Sequence, residues 1–232
     1  QIVQENNGIT QSFKEIDLTI SESKSVYSYT TKEFKPFKVQ LGIPSISKRL
    51  PFKIPDSRSI SFKYLNTLCG LPSDNIVSIC DDDAGNIWIA SDIGIYKISG
   101  FYIHYYDYKQ NFPECSPEKI ISYKGNIYIA TFGQGLFVLN GSTIEIFNKE
   151  NGFFSDHIIG FDKDSTGLYI CYYGNGLLHH KENQTFTQIA FSDKTSHDVI
   201  LDTKNSPLGR VFISEKGTFR ILHDSHKQYK TI

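Results

Sequence analysis

Short apolar runs alternate with clusters of Gly, Asp, Asn and Ser along most of this chain. Ile76-Val77-Ser78-Ile79-Cys80 is followed by Asp81-Asp82-Asp83-Ala84-Gly85-Asn86, and then by Ile87-Trp88-Ile89-Ala90. Ser91 to Gly94 interrupts, Ile95 to Ile98 resumes, Ser99-Gly100 interrupts again, and Tyr102 to Tyr106 follows. An apolar run of four or five residues bounded by turn residues fits a buried strand. Asp, Asn and Gly supply the backbone conformations that tight hairpins require. The pattern predicts four antiparallel strands. The first is buried on both sides, and the polar, aromatic fourth is outermost.

This unit recurs. Gly85-Asn86-Ile87-Trp88-Ile89-Ala90 with Gly94-Ile95-Tyr96 returns as Gly125-Asn126-Ile127-Tyr128-Ile129-Ala130 with Gly135-Leu136-Phe137. It returns as Gly167-Leu168-Tyr169-Ile170-Cys171 with Gly176-Leu177-Leu178, and as Gly209-Arg210-Val211-Phe212-Ile213-Ser214 with Gly217-Thr218-Phe219. The aromatic markers Trp88, Tyr128, Tyr169 and Phe212 step by 40, 41 and 43 residues. Four strands in about forty residues, repeated, is the blade of a β-propeller. The expected class is all-β, with blades near 62–112, 113–151, 152–193 and 194–232. The markers are expected to pack between blades, and the glycines to turn the chain. The connection repeats as well: Gly70-Leu71-Pro72-Ser73-Asp74-Asn75-Ile76 is echoed 82 residues later by Gly152-Phe153-Phe154-Ser155-Asp156-His157-Ile158.

The stretch GLPSDNIVSICDDDAGNIWIASDIGIYKISG (residues 70–100) resembles the two-component-regulator propeller repeat. That repeat has the form G-L-P-S-N, an apolar strand, D-x-x-G-N-L-W-I-G-T, G-G-L-Y and a closing D-G. Ala90-Ser91 replaces the usual Gly-Thr; the second copy lacks the G-L-P start, and the fourth is degenerate. The resemblance covers roughly residues 62–232. It implies the extracytoplasmic (periplasmic) sensor region of a bacterial sensor kinase or hybrid two-component regulator anchored in the inner membrane. It also favours membership of a longer array over a small closed ring.

Residues 1–61 lack the repeat. Ile16 to Ile20 and Ser25 to Thr30 fit strands; Pro36, Pro44, Pro51 and Pro55, with Lys and Ser between them, read as an extended connector.

Composition agrees with a mostly β chain. Of 232 residues 39% are hydrophobic and 14% aromatic, with 17 Phe and 14 Tyr. The net charge of −1 supplies no field for nucleic acid or an anionic membrane. No apolar run reaches the roughly 18 residues of a transmembrane helix, and no signal-peptide pattern opens the chain. Met is absent, for which there is no physical account. Cys69, Cys80, Cys115 and Cys171 form no zinc-ligand spacing. Cys171 stands where Ala90, Ala130 and Ser214 stand in the other copies, and reads as a small buried residue. Cys69 and Cys115, in comparable loops, are a conceivable disulfide.

Propeller topology sorts the candidate chemistry. The turns between second and third strands share a face with the blade-to-blade loops. That face collects Asp92, Phe132, Gln134, Tyr172, Tyr173, Asn175, Glu215 and Lys216 from the turns. It collects Asp74, Asn75, Glu118, Lys119, Asp156, His157, His197 and Asp198 from the connections. Rings give apolar contact and polar groups fix orientation, so such a mixture suits a polar organic ligand, a sugar included. Each Asp or Asn also has a purely structural use in fixing its loop.

Other constellations are weaker. Asp81/Asp83 and Asp162/Asp164 resemble calcium-loop fragments without a closing acid. His179 and His180 are adjacent in a strand and point to opposite faces. The Gly-x-Gly turns at 133–135 and 174–176 join strand to strand and fail the dinucleotide test. No cofactor or metal is expected. The leading reading is a non-catalytic ligand sensor with a small-molecule or oligosaccharide ligand and a homodimer formed through a downstream region. One alternative is a lyase-type propeller enzyme using His157 and His197 as an acid/base pair. The other is a protein-interaction platform through Tyr102, Tyr105, Tyr106 and Tyr108.

Overall fold

The computed structural model describes residues 27–50, 65–174, 176–191, 199–206, 209–215, 219–222 and 229–231. Ile16 to Ile20, Pro51, Pro55, Asn175, His197, Asp198, Lys216 and Gly217 lie outside them.

The repeat gives the expected strand order, but the inner strand of blade 1 is not buried on both sides: Val77 and Ile79 are 42% and 64% exposed. Blade 1 holds β4 (Ile76–Asp81), β5 (Ile87–Ser91), β6 (Gly94–Ser99) and β7 (Tyr102–Tyr106). Blade 2 holds β8 (Pro117–Tyr123), β9 (Asn126–Thr131), β10 (Leu136–Asn140) and β11 (Thr143–Phe147). Blade 3 holds β12 (Ile158–Lys163), β13 (Leu168–Tyr172), β14 (Leu177–His180) and β15 (Thr185–Phe191). Blade 4 holds β16 (Ile200–Ser206), β17 (Gly209–Ser214), β18 (Phe219–Leu222) and β19 (Tyr229–Thr231). All pairings within these sheets are antiparallel. The inner strands β4, β8, β12 and β16 contact one another in sequence, and the arc of sheets is not closed. This is a partial β-propeller.

The blades are not all four-stranded. β1 (Tyr27–Glu33), β2 (Phe37–Gln40) and β3 (Ser45–Lys48) each add a fifth strand outside a fourth one. β1 pairs with β15, β2 with β11 and β3 with β7, so the N-terminal strap crosses blades 3, 2 and 1 in that order. Tyr102–Tyr106 is therefore not the outermost strand of blade 1. The expected connector is instead a set of edge strands with Pro36 and Pro44 between them. Proline lacks the N–H that a ladder needs and belongs where pairing lapses. After each strap strand one N–H returns to a blade: Phe34 to the Gln184 carbonyl (3.0 Å), Leu41 to Ser142 (2.8 Å) and Arg49 to Phe101 (2.8 Å).

Packing explains the double-sided apolar strands. Trp88, Ala90 and Ile95 of blade 1 meet Ile127, Ile129, Phe137 and Leu139 of blade 2, with Leu41 of the strap among them. Tyr128, Ala130, Leu136 and Val138, on the opposite face of blade 2, meet Leu168, Ile170, Leu178 and Phe186 of blade 3, with Phe34 among them. Side chains alternate across a strand, so a blade between two neighbours is apolar on both faces.

The fourth copy is shifted by one residue. Every inner strand carries one bulge near its start, at Ile76/Ser78, Pro117/Lys119, Ile158/Gly160 and Ile200/Asp202. The first residues of those strands pair with Ser91, Thr131, Tyr172 and Ser214. Aligned on this bulge, Val211 rather than Phe212 occupies the place of Trp88, Tyr128 and Tyr169. Phe212 packs back onto Tyr169 and Cys171 of blade 3, and Ile213 takes the place of Cys171. A one-residue slip moves a side chain to the other face of the sheet.

The repeat's polar motif also has a structural basis. The Asp82 carboxylate accepts from the N–H groups of Ala84 (3.0 Å) and Asn86 (2.9 Å), from Asn86 Nδ2, and from Trp88 Nε1 (2.8 Å). Burial would raise its pKa, but the Asn86 and Trp88 bonds outweigh that and hold it at about 2. Asp164 accepts likewise from Thr166 N–H (2.8 Å). Asp82, which lies between Asp81 and Asp83, and Asp164 thus tie hairpins. Among the described residues no cluster of three His, Cys, Asp or Glu could hold a metal.

Candidate functional site

The bulge alignment sharpens the loop face. Asp92, Phe132, Tyr173 and Glu215 occupy one and the same position, the residue after the second strand, on four consecutive blades. The preceding connections deliver their partners. The N–H of Phe132 donates to the Ser116 carbonyl (2.8 Å), that of Tyr173 to His157 (2.9 Å) and that of Glu215 to Val199 (2.9 Å). Backbone pairing thus sets a row of exposed side chains, acid, ring, ring and acid, around the loop end of the arc.

The middle of the row is a ring cluster. Phe132 is 58% exposed and Tyr173 62% exposed. The half-buried His157 imidazole lies between them, 4.4 Å from the Phe132 ring at 71° and 6.0 Å from the Tyr173 ring. Two large rings left in water beside an imidazole leave apolar surface available to a ligand. Asp92 is exposed and accepts from Ser73 Oγ at 2.9 Å. Gln134 Oε1 accepts from Ser116 N–H at 3.2 Å, which orders the turn beside Phe132.

Three sequence candidates have other roles. Tyr172 is 2% exposed; it packs in the core between blades 2 and 3, where its hydroxyl accepts from Gln188 Nε2 at 2.6 Å. It shares the inward face of Leu168 and Ile170 and is not a surface ligand group. Asp156 accepts from Lys149 N–H at 2.7 Å, as Asp74 accepts from Thr67 N–H at 2.6 Å. Both carboxylates fix the first residue of a single 3-10 turn, Lys149–Asn151 and Thr67–Cys69. Glu118 is exposed in β8 at the bulge between Pro117 and Lys119.

The sequence reading also missed how regular the connections are. Each 3-10 turn ends in a left-handed residue, Gly70, Asn111 or Gly152, followed by a buried Leu71, Phe112 or Phe153. Asn111 stands in for glycine in blade 2, because Asn tolerates that conformation, so the second copy keeps its start in another spelling. No disulfide joins Cys69 to Cys115, contrary to that expectation from the sequence, and burial pushes the Cys80 thiol up to about 11 and the Cys115 thiol to about 12. Neither is a poised nucleophile.

Comparison with known proteins agrees with this architecture. Residues 70–92 match the family described as two component regulator propeller, so the chain carries that repeat. Two solved structures from B. thetaiotaomicron share the fold. One is the extracellular domain of a protein described as a hybrid two component system (TM-score 0.58, 18% identity, 73% of this chain and 26% of that one). The other is the extracellular domain of a protein described as a one component system (TM-score 0.56, 14% identity, 86% and 29%). The chain thus spans under a third of the length of either. A streptogramin B lyase structure aligns at TM-score 0.45 with 13% identity, over 67% of this chain and 57% of that one, too distant to bear on catalysis. No curated protein matches the sequence. No helix among the described residues is long and apolar enough to cross a membrane.

Proposed function

We propose that this chain is a non-catalytic, ligand-sensing propeller region of a bacterial two-component signalling protein, working outside the cytoplasm. Its ligand is a small polar molecule, with an oligosaccharide as the leading class, bound on the loop face. The carrying observation is the row of Asp92, Phe132, Tyr173 and Glu215 with His157 set between the two rings. Exposed rings offer flat apolar surface to a sugar ring, and the flanking acids accept from its hydroxyls. The propeller repeat at residues 70–92 supports the signalling context. A ligand transmits a signal only if it binds one arrangement of the protein more tightly than another. A homodimer formed through a further region is the simplest pair of arrangements.

The test is thermal shift of the full chain against a panel of neutral and acidic oligosaccharides, repeated with Phe132→Ala and Tyr173→Ala. A stabilising sugar whose effect disappears in both variants supports the reading. No shift across the panel, or a shift indifferent to both substitutions, removes it.

A further inference from the structure

The opposite end of the arc holds a cavity of about 280 Å³ between blades 2 and 3. It is built from hairpin tips: the β8–β9 turn at Lys124, the end of β10 at Asn140 and the β14–β15 turn from Lys181 to Gln184. None of the loop-face candidates lines it. Ligand pockets run roughly 300–1,000 Å³, so this one is sized for a single small ring.

Its inner wall contains an anomaly. His180 pairs with Leu168 as Leu139 pairs with Ile127 and Ile98 with Ile87. Blades 1 and 2 fill that position with an aliphatic side chain; blade 3 fills it with an imidazole that is 3% exposed. Burying a polar group costs free energy that an aliphatic one does not. His180 Nδ1 lies 3.1 Å from the Thr185 carbonyl, which can only accept, so Nδ1 carries the proton. Burial lowers the imidazole's pKa and keeps it neutral. Nε2 is then an acceptor, and the Tyr128 hydroxyl, 2.9 Å away, donates to it. The Tyr123 hydroxyl donates to the Lys181 carbonyl at 3.1 Å. Both phenol protons are thus committed within the wall; the Tyr128 oxygen also bonds the Asn126 side chain, and the phenols turn their remaining lone pairs to the cavity. The half-buried Glu145 carboxylate also only accepts; Lys38 at 2.7 Å and Gln184 Nε2 at 3.5 Å both meet its Oε1.

Acceptors beside the rings of Tyr123, Tyr128 and His180, with the side-chain amides of Asn126, Asn140 and Gln184 in the same lining, suit a molecule that brings hydroxyls and an apolar ring face. Glu145 is already paired with Lys38, and Lys124 and Lys181 outnumber the remaining acid of the lining, Glu182, so the charge balance does not favour a cation. We propose that this inter-blade cavity is a second binding site, for a neutral polyol of single-sugar size, whose hydroxyls donate to Tyr128 Oη, Tyr123 Oη and Glu145.

The experiment titrates the full chain with methyl β-glucoside, methyl β-galactoside and myo-inositol by saturation-transfer NMR, with glucosamine and glucuronate as charged controls. At least one neutral probe binds saturably. Tyr128→Phe and His180→Leu each weaken it about tenfold, the worth of one buried hydrogen bond. His180→Leu restores the residue type of the other blades but takes the acceptor from the Tyr128 hydroxyl, so the melting temperature of both variants, read beside the titration, separates lost binding from lost folding. The proposal is overturned if no neutral probe binds, if a charged control binds more tightly, or if binding survives both cavity substitutions. It is also overturned if Phe132→Ala removes the binding, which would assign the ligand to the loop face.

Discussion

The Phe34 ring meets the Phe153 ring edge-on, with 5.1 Å between centroids and 76° between planes. Phe34 belongs to the N-terminal strap and Phe153 to the connection between blades 2 and 3, 119 residues later. Phe154 and Phe186 lie 5.2 and 6.0 Å from the same ring. Leu41 makes the matching insertion between blades 1 and 2, beside Phe112. The strap is therefore pinned at each blade junction it crosses.

Phe34→Ala removes a buried ring that three others surround. Burial on this scale costs about 3–5 kcal/mol on truncation, and Leu41→Ala about 2–5 kcal/mol. Urea denaturation of the two variants checks this. A cost below about 1 kcal/mol for both would mean that the strap lies on the blades without holding them.

Gly135 and Gly141 separate two uses of glycine. Both have positive φ, +91° and +60°. A Cβ on Gly135 would run into the Phe147 carbonyl oxygen, whereas one on Gly141 would meet nothing within 4 Å. Gly141→Ala bears the left-handed penalty alone, about 1–2 kcal/mol. Gly135→Ala adds displacement of the strand β11 end and costs more, and Gly94, facing the Tyr106 carbonyl, behaves like Gly135. Equal melting temperatures for the alanine variants at 135 and 141 would contradict this.

The blades were legible because turn chemistry and apolar runs repeat with little variation. The strap was not: β2 and β3 have four residues each, and their burial alternates weakly. Its signal lies in spacing alone, with Phe34 and Leu41 seven residues apart and Pro36 and Pro44 eight, the stride from one blade edge to the next. Phe212 was misplaced because an aromatic one position from the expected place looks like the marker itself; only the strand pairing of Ser214 with Ile200 fixes its side. Phe132 and Tyr173 were legible as loop-face residues, because topology alone assigns that face. Tyr172 was not separable from Tyr173 in sequence, because two adjacent tyrosines differ only in which way the strand turns them.

Arg210 is 3% exposed, bonds Asp162 at 2.6 Å and Asp164 more closely still, and lies 3.6 Å from the Tyr169 ring centroid. Arg210→Met removes the buried cation from two carboxylates, leaving Asp162 with Lys204 and the Asn205 N–H and Asp164 with Thr166, a change that costs up to about 3–5 kcal/mol. Burial raises the Asp164 pKa, but bonds from Thr166 and Arg210 outweigh it and hold the carboxyl below its ordinary 3.8. A depressed carboxyl contributes stability above the unfolded pKa and loses it as pH falls through the folded value. The gap between wild type and variant therefore narrows below about pH 4. Denaturant midpoints at pH 7 and pH 3 measure it, and a gap independent of pH would show that Arg210 acts through packing alone.

His180 adds a second loss of stability on the acid side, beginning at higher pH. Burial lowers its pKa from 6.5 and the nearby Lys124 adds to the effect, while the Thr185 carbonyl opposes it. His179 is also lowered, by burial first and then by Lys181. The folded protein therefore keeps both imidazoles neutral where the unfolded chain has begun to protonate them. Stability is complete above pH 6.5 and falls as pH drops below it, at up to about 1.4 kcal/mol per pH unit for each group. His180→Leu removes one of the two contributions and flattens the decline between pH 6.5 and 5. The aliphatic side chains of Ile98 and Leu139 at the same place in blades 1 and 2 indicate that the fold accepts this substitution at neutral pH. Denaturant midpoints of wild type and variant at pH 7.5 and 5.5 decide the matter: parallel declines would mean that His180 does not titrate on unfolding, and with it would fall the assignment of a neutral acceptor at Nε2.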